Sequence, residues 1–280
     1  MTSALVRGLL VALLVVTPAL LLPGVAADTT QVVMLVALLA AVLTMVEYSS
    51  AYPSLLEFRY APPFNRLRYL FTLLVVLSIT MISRGAVDSN GASRLFLSLG
   101  RIVAQVLDFP FSPVRLLTLV LPIEASPRLV ATLRLSAAMA YGLSLLMVLV
   151  FFVQVRLRGW PARNGAFNVW INLPLFDPTG GGDVVTRLQR DARLNFSLGF
   201  LLPFLMPAFA KAATDLLSIS ALENPQTLVW TTTLWAMFPA MLITRGLAMV
   251  RIADMIETKR RRAYAQAEAE GAPVGAAQTI

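Results

Sequence analysis

The sequence predicts an all-α, polytopic membrane protein of about six transmembrane helices plus interfacial amphipathic helices. Three observations carry this prediction. Hydrophobic residues fill 58% of the 280 positions and charged residues only 14%, a balance foreign to soluble domains. Apolar runs recur near the length of about 20 residues that crosses a hydrocarbon layer. The cations are shared unequally between the two sets of loops, with a bias of about two to one that orients a multi-pass chain.

Six spans follow, at about residues 9–27, 31–46, 67–82, 129–155, 196–217 and 228–249. The first follows Arg7 and ends in PGVAAD, with small residues at Val25 and Ala27. A cleavable leader cut after Ala27 reads the same way and is the alternative to a retained span. Pro18 inside the run is tolerable in lipid where a neighbour takes up the carbonyl it frees. After the second span comes EYSSAYPSLLEFRYAPPFNRLRY, where Tyr48, Tyr52, Phe58, Arg59, Tyr60, Phe64, Arg66 and Arg68 crowd a stretch broken by Pro53, Pro62 and Pro63. Prolines without a backbone N–H end any helix there. The residues read as a headgroup-level belt or as a partner surface, because Tyr and Arg are favoured anchors at interfaces.

The third span ends at Arg84. From Arg94 to Asp108, Leu95, Phe96, Leu99, Ile102, Val103, Val106 and Leu107 share one helical face opposite Arg94, Ser98, Arg101, Gln105 and Asp108. That pattern predicts an amphipathic helix lying flat on the outer surface. Ser112 is placed to cap a short helix between Pro113 and Pro122, either interfacial or re-entrant. The fourth span carries Arg134 near its outer end and small residues from Ser136 to Ser144, which permit close helix approach.

The insert at 156–195 is the longest polar break and carries six arginines. Within it Asp183 is placed to cap a helix with Arg187, Arg190 and Arg193 on its polar face, predicted to lie on the inner leaflet in contact with anionic phospholipid. Gly180, Gly182 and Asp183 also spell G-x-G-D, which resembles the motif of intramembrane aspartyl proteases. That family places a second aspartate in a neighbouring span; here the inward-side residue available is Asp254, among basic residues. The fifth span holds Pro203 and Pro207, for which a kink is expected, and Lys211 four residues before Asp215. With Arg134 and Glu124 these form a candidate polar site in the membrane, since ionisable residues in spans mark pairs or pathways. The tail at 259–280 begins with Lys259, Arg260, Arg261 and Arg262, a second expected lipid contact, and then dissolves into Ala, Gly and Gln. The region 1–258 forms one membrane domain.

Net charge is +8, drawn from 23 Lys and Arg against 15 acids. Arg7, the arginines of the hairpin and insert, and the Arg245–Arg262 group lie on one side, which places both termini in the cytoplasm. Anionic lipid, not nucleic acid, is the expected counter-charge, and arginine-rich, alanine-rich usage points to a bacterial inner membrane. With no Cys and no His, disulfides, imidazole or thiolate metal ligands and histidine-dependent catalysis are excluded. No metal or cofactor is expected. The sequence therefore predicts a non-catalytic accessory or scaffold subunit that binds other membrane proteins. A transporter or channel using the fifth span, and a membrane-embedded enzyme limited to carboxylates, Lys, Tyr and Ser, are the alternatives.

Overall fold

A computed structural model describes residues 2–52, 54–161, 169–176, 181–217 and 221–269, without the side chains of 170, 214–217 and 221. Among the described residues every regular element is a helix: α1 (Thr2–Leu21), α2 (Ala27–Ser49), α3 (Phe64–Val87), α4 (Gly91–Leu107), α5 (Pro113–Thr118), α6 (Pro127–Leu157), α7 (Val169–Asn172), α8 (Val184–Leu217) and α9 (Pro225–Ala269). Six of them, α1, α2, α3, α6, α8 and α9, are long and apolar enough to cross a membrane.

The starts of these helices follow from local chemistry. Asn90 and Ser93 cap α4 reciprocally, each side chain accepting from the other's backbone N–H. Ser112 and Ser126 accept from the N–H groups of Arg115 and Leu129, with Pro113 and Pro127 at first helical positions where no donor is missed. Asp183 accepts from the Thr186 N–H at 3.1 Å, as its position ahead of α8 implied.

The core lies where α3, α6 and α9 meet: Val75, Val76, Ile79, Leu133, Ala137, Met147 and Trp235 are buried there. The longest seam joins α8 to α9. It is close because Gly199 presents no side chain: a Cβ there would stand 2.8 Å from the Pro239 carbonyl. α1 and α2 form a hairpin whose α1 rests on α3 and α9, while α2 buries only Ala37 and Ala41. α1 begins, and α9 ends, at the end of the bundle that carries residues 50–63, called here the hairpin end; α4 and α5 sit at the other.

Several boundaries differ from expectation. The first span starts at Thr2 and stops at Leu21, not 9–27, because Gly24 at φ +73° turns the chain and Ala27 already opens α2. The expected inner-leaflet helix after Asp183 is not a separate element: α8 runs unbroken from Val184 through both prolines to Leu217. Its apolar face continues straight into the span, with Val185, Leu188 and Ala192 buried against α9 residues Met249, Ile252 and Ala253. At 34 and 45 residues, α8 and α9 are about 50 and 67 Å long, well beyond the length of about 30 Å that a hydrocarbon layer requires, and they stay paired at the hairpin end. α8 stays helical across the two prolines of the fifth span. Pro207 cannot donate to the Pro203 carbonyl, and the Trp235 Nε1–H of α9 does so at 3.0 Å.

α4 falls where the periodicity put it, but it has three faces. Gly100 and Ala104 pack on the bundle, Leu95, Leu99, Ile102 and Val106 are exposed apolar residues, and Ser98, Arg101 and Gln105 are exposed polar ones. α5 packs one face into the core through Val114 and Leu117 and leaves Arg115 exposed on the other. The tail remains helical to Ala269, and the expected disordered part at 271–280 lies outside the described residues.

Candidate functional site

Residues 50–52 and 54–63 form a folded platform. Glu47, in the last turn of α2, accepts from the backbone N–H groups of Ser54, Leu55 and Leu56 and from the Ser54 hydroxyl. Arg59 is buried and donates back to the carbonyls of Glu47 and Ser50, closing the loop onto the same helix end. Tyr60 completes this knot by accepting from Arg59. α7 then clamps it: Asn172 accepts from the Phe58 N–H through its carbonyl (2.7 Å) and from the Tyr60 N–H through Oδ1 (3.0 Å). Phe58 holds φ +55°, a left-handed conformation uncommon outside glycine, and its ring packs 4.4 Å from Phe64 and 5.7 Å from Trp160. Phe151 of α6 closes this aromatic cluster, 5.2 Å from Phe64. Trp160 Nε1 donates to Ala61, and Arg251 of α9 donates to the Trp160 carbonyl.

Beside the platform a cleft of about 1290 Å³ opens between α1, α2, α3 and α9. Its polar rim carries Arg7, Arg66, Arg68 and Arg245, with Tyr48, Asn65 and Glu57. Glu57 receives both Arg245 Nε (2.6 Å) and Nη2 (2.8 Å), a two-point pair across 188 residues whose carboxylate side chain is 6% exposed. Bidentate geometry of this kind is among the stronger charge-assisted bonds. Arg7 lies 4.0 Å over the Tyr48 ring and Arg68 5.2 Å over Phe64. Among the described residues, the guanidinium groups of Arg7, Arg66 and Arg68 have no hydrogen bond and no salt bridge; Glu57 attracts Arg68 only at longer range. Of the four guanidinium groups on this rim, Arg245 is the one bonded to a carboxylate among the described residues. Below them Leu10, Val11 and Leu14 of α1 face Phe238, Met241 and Leu242 of α9, so the floor is apolar.

At the opposite end a carboxylate is also held by arginine. Asp108, its side chain 2% exposed, receives Arg115 Nε at 2.5 Å and Arg134 from α6. The hydrogen bond to Asp108 raises the pKa of the Arg115 guanidinium further.

The expected site residues therefore divide. Tyr48, Phe58, Arg66 and Arg68 line the cleft, Phe64 is buried behind it, Arg59 is built into the hairpin, and Tyr52 and Tyr60 are exposed on the platform. The members of the expected polar site are placed in part. Arg134 is engaged by Asp108, and Glu124 is exposed in the turn before α6. Lys211 is half-buried in α8 and has contacts of its own; the side chain of Asp215 lies outside the described residues. Of the residues expected at lipid, Arg187 stacks on Phe176 at 5.1 Å, Arg190 and Arg193 are exposed, and Lys259 and Arg262 are exposed on the α9 extension. Arg260 bonds Asp183 at 2.6 Å and Arg261 bonds Glu257. Asp183 thus has a structural occupation as helix cap and ion-pair partner; Gly180, the first glycine of G-x-G-D, lies outside the described residues. Glu57, Arg245, Arg7, Trp160 and Asn172 escaped the sequence reading. For Arg245 a signal existed, because an arginine within an apolar run needs a counter-charge, but nothing in the spacing names Glu57.

The chain matches no protein-family model, no curated protein and no solved structure.

Proposed function

We propose that this protein is a non-catalytic multi-pass protein of the bacterial inner membrane, with both termini cytoplasmic, serving as an accessory or scaffold subunit that binds other membrane proteins through its hairpin end. The observation that supports this reading is the platform at 50–63. Its backbone is held by residues from α2, α7, α9 and the Trp160 turn, while Tyr52, Leu55 and Tyr60 stand 85%, 69% and 61% exposed on it. Large apolar side chains on a fixed backbone lose little entropy on docking, which is what an anchor needs. The paired extensions of α8 and α9 carry a further basic surface beyond the span, which fits anionic phospholipid.

Affinity capture from membranes in mild detergent tests this, using the full chain and a Tyr52→Ala/Leu55→Ser variant. A membrane protein captured in fixed ratio by the native chain and lost in the variant supports the scaffold. Equal recovery with both overturns the platform as the docking surface. A reporter fused at the C-terminus gives the orientation: an active periplasmic phosphatase would refute cytoplasmic termini.

Transport of a small solute is the second reading, favoured by the cleft. Vesicles whose solute uptake depends on this chain would bring it forward.

A further inference from the structure

We infer that the cleft between α1, α2, α3 and α9 is a binding site for an anionic amphiphile, with a phosphate-ester headgroup held by Arg7, Arg66 and Arg68 and an aliphatic tail along the α1 and α9 walls. The inference depends on the multi-pass reading but not on a protein partner. Its first ground is charge. Arg245 is taken by Glu57, and three further guanidinium groups face one cavity with no carboxylate bonded to any of them among the described residues. Like charges gathered at a site repel one another, so a gathering of this kind is stabilised by an anion. Arginine favours phosphate oxygens because its planar fork offers two parallel donors.

The second ground is the change of lining with depth. On α1 the wall passes from Arg7 to Leu10, Val11 and Leu14; on α9 it passes from Arg245 to Leu242, Met241 and Phe238. Each step spans seven residues, about 10 Å of helix. Both walls turn from cationic to apolar in the same direction, which is the polarity of an amphiphile and not of a free ion. The third ground is size: about 1290 Å³ exceeds the usual range of about 300–1,000 Å³ for compact ligands and accommodates a headgroup with part of a chain. Tyr69, whose hydroxyl donates to the Leu10 carbonyl at 2.9 Å, ties α3 to α1 on this wall and holds it in place.

The test uses the purified full chain in neutral detergent, with unfolding followed by tryptophan fluorescence. Phosphatidylglycerol, phosphatidylcholine and inorganic phosphate are titrated separately as mixed micelles or salt. Phosphatidylglycerol is expected to raise the melting temperature saturably, with phosphatidylcholine and inorganic phosphate at equal phosphorus having little effect. In Arg66→Gln/Arg68→Gln its apparent affinity is expected to fall on the order of tenfold or more. Met241→Trp, which fills the apolar wall without changing charge, is expected to weaken it as well. Arg94→Gln/Arg101→Gln, exposed on α4 at the opposite end of the bundle, leaves it unchanged. If the double arginine variant does not fold, Arg7→Gln and Met241→Trp carry the same reading. Inorganic phosphate alone reproducing the shift would make the site one for a free anion and overturn the tail. Equal loss in Arg94→Gln/Arg101→Gln would reduce binding to surface charge and overturn the cleft. Release of the chain from membranes by alkaline carbonate would instead overturn the multi-pass reading on which the site depends.

Discussion

The two ends of the bundle each hold a buried carboxylate with arginine, and they differ in what is left over. At the α4 end Asp108 meets Arg115 and Arg134, and both cations are satisfied by the one acid. At the hairpin end Glu57 meets Arg245, and Arg7, Arg66 and Arg68 remain beside them in a large cleft. A cluster in which every cation is bonded rivets one segment to another; one that leaves cations unbonded beside a cavity keeps charge in reserve for something that is not protein. The difference separates a structural knot from a binding site without reference to any relative.

The largest effect should come from the pair that is both buried and sequence-distant. Glu57→Ala leaves Arg245 inside the bundle without a counter-charge and should destabilise by about 3 kcal/mol, since stripping one partner from a buried pair is far worse than never having had it. Arg245→Met should do nearly as much, and the double variant less than the sum. A thermal or denaturant midpoint in detergent reads all three, and additive losses would show that the two residues do not act as a pair. Next is Asp108→Asn, with an expected loss of about 2 kcal/mol, because both arginines are half exposed and water recovers part of their hydration. A loss as large as that at Glu57 would erase the contrast between the ends.

A third pair supplies the exposed control. Arg260 on the α9 extension bonds Asp183, the α8 cap, and lowers the pKa of its carboxyl, with both side chains more than two-fifths exposed. A depressed folded pKa means that the stabilisation is present above the unfolded carboxylate value and is lost as pH falls through the folded one. Arg260→Ala should therefore cost less than about 1 kcal/mol at neutral pH, and its midpoint should converge on that of the native chain as pH falls through the lowered carboxyl value. A pH-independent difference would rule out the ion pair as its cause. The smallest effect is the most informative. Arg66→Gln should leave stability within about 0.5 kcal/mol of the native chain, whereas Arg134→Gln should lower it. An Arg66 variant as unstable as the Arg134 variant would mean that the cleft arginines hold the fold together rather than wait for a ligand.

How much of this was legible varies with the range of the forces involved. Helical class, six long apolar segments, the caps at Ser112 and Asp183 and the amphipathic character of α4 all depend on residues within about two turns of one another, and periodicity exposes such relations. The crowd of aromatic and arginine residues at 48–68 was legible as a cluster, but not as a cluster of two parts. Sequence alone cannot say that Arg59 turns back to cap its own loop while Arg66 and Arg68 face a cavity. Position along a span put Arg134 in a candidate polar site but could not name its acid, because Asp108 stands just past the end of a helix that periodicity had assigned to the surface.

By itself the chain determined where helices form and which are apolar enough to cross a membrane, because propensity, capping and hydropathy are local quantities. Only the tertiary structure decided that α8 and α9 run on together past any hydrocarbon layer, that Trp235 takes the carbonyl Pro207 leaves, and that Glu57 finds Arg245 across 188 residues. Those are pairings between surfaces, and a helix carries no record of which neighbour its face will meet until the faces are packed.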